Sequence, residues 1–140
     1  MSELVPLEPG ACLALLAGAR LGRVGVIVDG YALVFPVNYV LAERDSVPVI
    51  VIRTRVGNVI STHPGPVSFE IDGIDEMRQC GWSVLVRGEL GPLTGVVFAD
   101  PEPWVNHDRT NWMIITAQKI TGRELVPEHQ LWPFHPNAYL

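Results

Sequence analysis

Two arginines, a threonine, a glycine and an asparagine end an apolar run in "VIVIRTRVGNVIS", residues 49–61. Guanidinium is a permanent cation whose forked N–H groups match the oxygens of a phosphate or carboxylate. Arg53 and Arg55 supply two of these, and Thr54 and Asn58 add neutral donors. Gly57 lets the backbone turn its own N–H groups toward an anion, and a helical turn starting there adds partial positive charge. The stretch reads either as an anion cradle or as a solvated loop after a strand. Its pattern is less specific than a Walker phosphate loop.

Pro36 is the second unusual position. "LVFPVNY" reads as a strand, yet proline cannot donate to a ladder, so it marks an edge, a bulge or a place where something other than a strand lies alongside. Asn38, on the same face, offers both a donor and an acceptor. Trp82 and Ser83 open a later strand. A tryptophan there packs in a core, seals an interface or stacks on a planar ligand.

Other chemistries find less support. His63, His107, His129 and His135 have no paired ligand spacing, and no nucleophile frame such as G-x-S-x-G occurs. Cys80 has no base beside it, and Cys12 lies on an apolar helical stretch. Glu70, Asp72, Asp75 and Glu76 read as a solvated strand end and turn, with Arg78 as their counter-charge.

These residues need a frame to hold them. The 140 residues suit one domain, and a 48 % hydrophobic, 18 % charged composition suits a globule. A net charge of -5 and a pI near 5.2 disfavour a nucleic-acid partner. No signal peptide and no apolar run of the roughly 20 residues a membrane helix needs are visible. That implies a cytoplasmic protein with reduced thiols and no membrane partner.

"LEPGACLALLAGAR" predicts a short apolar helix ending near Gly18. "RVGVIVD", "YALVFPVNYVLA" and "VPVIVIRT" read as strands, with Asp29-Gly30 and "ERDS" turning between them. "RVGNVISTH" holds a single helical turn before Pro64-Gly65-Pro66. "PVSFEIDG" alternates cleanly, with Val67, Phe69 and Ile71 on one face; "GWSVLVRGELGPL" places Trp82, Val84 and Val86 opposite Ser83, Leu85 and Arg87. "TGVVFADPEPW" reads as a short helix and loop, and "NWMIITAQKITGREL" as a sixth strand. Six antiparallel strands and one leading helix predict a mainly β, closed or nearly closed small barrel over residues 1–126. A proline-rich tail, 127–140, is expected to pack on the barrel or on a partner.

The runs "LLAGARLGRVGVIVDGYALVFPVNYVLAE", "VIRTRVGN", "PVSFEIDGIDEMRQCGWSVLVRGEL" and "WMIITAQKITGREL" resemble the flavin-binding split-barrel proteins. Among these they resemble the actinobacterial branch of the pyridoxamine 5'-phosphate oxidase-like group, over about residues 7 to 125. The resemblance implies a six-stranded antiparallel split β-barrel that forms a homodimer with two flavin sites in its cleft. It implies that Phe35, Pro36, Val37 and Asn38 run beside the flavin ring. It places the phosphate of FMN against Arg53, Thr54, Gly57, Asn58 and Val59, with Trp82 and Ser83 near the ring. The family pattern R-T-x-x-G-T-K ends on a lysine where this chain has Val59, and Arg55 is a candidate to compensate. The implied function is an FMN-dependent oxidoreductase acting on a small molecule. The alternatives are a flavin-free binding module and a barrel that uses a deazaflavin or haem. A second basic cluster for a phosphorylated substrate is not apparent in the sequence.

Overall fold

The computed structural model describes residues 2–54, 57–95, 97–99, 102–104 and 112–127. In chain order the elements are β1 (Ser2–Pro6), α1 (Pro9–Gly18), β2 (Leu21–Val28), β3 (Tyr31–Arg44), β4 (Val47–Arg53) and α2 (Val59–Thr62). They continue with β5 (Gly65–Asp75), β6 (Cys80–Pro92), β7 (Val97–Ala99), β8 (Glu102–Trp104) and β9 (Trp112–Pro127).

The six strands expected from the sequence close on themselves. β2 pairs with β3, β3 with β4, β4 with β9, β9 with β6, β6 with β5, and β5 returns to β2, every pair antiparallel. The fold is a mainly β split barrel with a short N-terminal helix. Alternation explains which side chains fill it. Val24, Val26, Phe69, Ile71, Val84 and Val86 face inward and are buried, as a period of two along each strand requires. β4 departs from alternation because both its faces are covered. Ile50 and Ile52 join the main core, while Val49 and Val51 form a second cluster with Ala42, Leu93 and Ile114.

Two turns set the hairpins around β3. Asp29 and Gly30 both take positive φ (52° and 82°), as do Asp45 and Ser46 (53° and 65°), the geometry that follows the twist of the flanking strands. α1 begins with Pro9, whose fixed φ suits a first helical turn. It plugs one end of the barrel with Cys12 and Leu16, both buried. Gly122 permits that approach, since a Cβ there would sit 2.6 Å from the Cys12 sulfur. Burial pushes the Cys12 thiol pKa up, and both cysteines are free.

Three strands were not anticipated. β1 pairs with the far end of β9, from Ser2↔Pro127 to Pro6↔Arg123. Residues 94–104, read as a short helix and loop, instead carry β7 and β8, which pair with each other. Pro127 therefore ends a strand, and the tail beyond it lies outside the described residues. None of the described helices is long and apolar enough to cross a membrane.

Candidate functional site

β3 is long enough to have different neighbours along its length. Residues 31–38 pair with β2 on one side, whereas Tyr39–Arg44 pair with β4 on the other. The Tyr39 N–H donates to the Arg20 carbonyl at 2.9 Å. Backbone direction alternates along a strand, so odd-numbered residues of β3 address β2 and even-numbered residues address the opposite side. No strand of the described chain lies there beside residues 32–38. Pro36 falls on the even side, opposite Arg23 in the register. Its missing N–H thus costs the ladder nothing. The Val34 N–H and the carbonyls of Val34 and Pro36 are left facing open space.

That open edge is one wall of a cleft of about 940 Å³. Phe35, Pro36, Val37 and Asn38 line it from β3, Arg53 and Thr54 from the end of β4, and Asn58 from the turn before α2. The structure thus gathers seven predicted residues, which span positions 35–58, around one space. Within β3, Phe35 and Val37 lean on the core, while Pro36 and Asn38 are exposed. The cleft accordingly meets mainly backbone and the Asn38 amide on this wall.

The end of the cleft at Arg53 and Asn58 is built locally. Gly57 takes φ +82°, a conformation other residues rarely adopt. It turns the chain into Asn58, the N-cap of α2, whose side-chain oxygen accepts the Ser61 N–H at 2.8 Å. The cap uses Oδ1, so the Asn58 amide nitrogen is the part that can donate to a ligand. Arg53 is exposed, and its guanidinium lies 5.8 Å from the centre of the Trp112 ring, its register partner on β9. A cation–π contact of this length leaves the guanidinium N–H groups able to donate to an anion. Thr54 is buried at 7 % exposure and completes this wall.

Other predicted residues lie elsewhere. Val59 packs against the main core and does not line the cleft. Gly57 shapes the turn without lining the cleft, and Arg55 lies outside the described residues. Trp82 and Ser83 sit on β6, opposite Gly73 and Asp72, and do not border the cleft of their own chain. Conversely, Tyr39, Val40, Val51, Ile60 and Trp112 line it without having been singled out. Trp112 could be found only through the β4–β9 register, which no local pattern encodes.

The acidic group is also rearranged. Arg23, not Arg78, bridges Glu70 (3.1 Å) and Asp72 (3.2 Å); Arg78 contacts Asp75 at 3.7 Å. Partial burial, together with neighbouring Asp72, pushes the Glu70 pKa up against the opposing pull of Arg23. Among the described residues no group of three or more His, Cys, Asp or Glu could hold a metal ion.

A six-stranded antiparallel ring, plugged by a helix at one end and bearing a cleft along an open strand edge, defines the split-barrel class. Residues 8–124 match the family model described as pyridoxamine 5'-phosphate oxidase, and the chain belongs to that family. It is 25 % identical over 139 residues to the uncharacterized Mycobacterium tuberculosis protein Rv0080, covering 90 % of this chain and 88 % of that one. Among solved structures, it is similar to the FAD binding protein from Mycobacterium smegmatis. The identity is 28 % and the TM-score 0.65, with 87 % of this chain and 98 % of that one covered. A conserved protein of unknown function from Corynebacterium diphtheriae is 25 % identical with TM-score 0.68, over 88 % and 98 % of the respective chains.

Proposed function

We propose that this protein is a flavin-dependent oxidoreductase that binds FMN in the cleft between β3, β4 and α2, with a second copy of the chain covering the cleft. The observation that carries the proposal is the meeting, in one space, of an unpaired strand edge with Arg53, Thr54 and Asn58. A flat heterocycle has edge donors and acceptors that complement a strand edge, and a phosphate complements the cationic end.

When bound, the flavin supplies hydride or electron transfer at its ring. The chain's own residues bind and orient. Arg53, steadied by Trp112, neutralises phosphate charge, and Thr54 and Asn58 supply neutral donors. The Val34–Asn38 edge fixes the plane of the ring. A second copy would exclude water from that edge, and the exposed apolar side chains beside it, Val34 at 64 % and Val40 at 39 %, suit such a cover. Trp82 and Ser83, away from the cleft of their own chain, would then reach a ring only across the dimer.

FAD is a second reading. The M. smegmatis relative is an FAD binding protein. A neighbouring hollow of about 590 Å³ shares Tyr39 and Val40 with the cleft and offers Arg20 and apolar walls for further bulk.

The test is titration of the purified chain with FMN, FAD and riboflavin, read by flavin fluorescence and by light scattering. Tight binding of FMN or FAD, weak binding of riboflavin and a dimeric mass are expected. Equal affinity for riboflavin and FMN would sink the phosphate assignment. A monomer that still binds flavin would sink the shared cleft.

A further inference from the structure

The sequence shows no second basic cluster, but the fold assembles one. Arg87 on β6 and Lys119 on β9 are direct register partners. Directly opposed residues place their Cβ atoms about 5 Å apart, and like charges there repel. Neither makes an ion pair with an acid among the described residues. Glu70, in the next row of the wall, is engaged by Arg23. Glu89 shares the face of Arg87 yet does not bond to it, and no acid lines the space between the two cations.

The neighbourhood is shaped to hold something there. The β6–β9 register shifts between Arg87 and Gly88, so Arg87 faces Lys119 while Gly88 faces Ala117. Gln118 is the extra residue of this bulge, and a bulge re-aims side chains. Both Gln118 and Lys119 are exposed, and both line a hollow of about 680 Å³. Ser68, paired with Arg87, adds a hydroxyl. Gly25, opposite Ser68, leaves the floor clear, since a Cβ there would meet nothing nearer than 3.9 Å. Ile27, 65 % exposed, forms an apolar rim. The hollow shares no lining residue with the flavin cleft.

We propose that Arg87 and Lys119, with Ser68 and Gln118, form a second binding site for a small molecule carrying a phosphate or carboxylate beside an apolar body. Such an anion relieves the repulsion between the two cations, and its body covers Ile27. The site stands independently of the flavin reading.

The test is an NMR titration of the isotope-labelled full chain with phenyl phosphate and, separately, benzoate. The amides of Gly25, Ser68, Gly88 and Gln118 report the hollow. Saturable shifts are expected there in the wild type and in Arg53→Ala. The double variant Arg87→Gln/Lys119→Gln should bind about ten- to a hundredfold more weakly. Shifts with phenyl phosphate alone support a phosphate ester as the ligand, and shifts with both support a site that also accepts carboxylates. A thermal melt guards against a folding defect. Each single substitution removes a like-charge contact and should raise the ligand-free Tm by about 1–2 °C. The double variant should lose the Tm gain that phenyl phosphate gives the wild type. Absence of shifts with both probes, undiminished shifts in the double variant, or their loss in Arg53→Ala overturns the proposal.

Discussion

The wall made by β5 and β6 and the free side of β3 are built from similar alternating sequence but do opposite things with their backbones. From Gly65↔Leu90 to Asp75↔Cys80 the β5–β6 ladder runs unbroken, β9 flanks β6 from Gly81 to Pro92, and β2 flanks β5 over Ser68–Glu70. Residues 32–38 of β3 instead have a strand on one side only. A finished ladder satisfies its polar groups and stabilises; an unfinished one keeps donors and acceptors available for a ligand or a second chain. Stability and binding should therefore be separable by position.

The sharpest way to break this division is Phe69→Ala on the closed wall. Phe69 is fully buried and meets the Tyr39 ring edge-on at 4.8 Å. Urea unfolding should show a loss of about 3–5 kcal/mol, while the protein that remains folded binds flavin as before. Arg53→Ala should do the reverse. Flavin affinity measured by fluorescence should fall about ten- to a hundredfold, with unfolding free energy changed by less than about 1 kcal/mol.

Tyr39 sits where the two regions meet. Its hydroxyl donates to the Leu16 carbonyl at 2.6 Å, tying α1 to β3, and Tyr39→Phe should cost about 1 kcal/mol. Burial raises its pKa from 10.0 to about 12. The fold therefore favours the neutral phenol, and that contribution is complete below pH 10.0 and lost as pH rises toward about 12. Tyr39→Phe should remove this part of the alkaline decline in melts across that range. Pro36→Ala should have the smallest effect, about 0.5 kcal/mol through a freer unfolded chain. The new N–H points at the open edge, and no ladder bond is gained. A Tm drop of many degrees would mean that the edge is not open at residue 36.

The ring strands were legible because each carries its own alternation and turn residues. Val67, Phe69 and Ile71 mark the inner face before any partner is known. Asp29-Gly30 announces its hairpin, and Gly57-Asn58 announces α2. β1 was not legible because "SELVP" has no strand pattern of its own; it becomes a strand by completing the ladder at the end of β9. β7 and β8 are too short, and too broken by Pro101 and Pro103, to declare themselves. At the site, local chemistry pointed to Arg53, Thr54 and Asn58. The Arg53–Trp112 cation–π contact and the Arg87–Lys119 pair are products of register between strands far apart in sequence, which composition and spacing do not record.

β9 pairs with β1, β4 and β6, yet it follows every other ring strand in the chain. During synthesis the ribosome must deliver nearly all of the ring before its last seam can be sewn. Until then the edges of β4 and β6 that β9 will cover stay unpaired, and long-range pairing of this kind forms late and slowly.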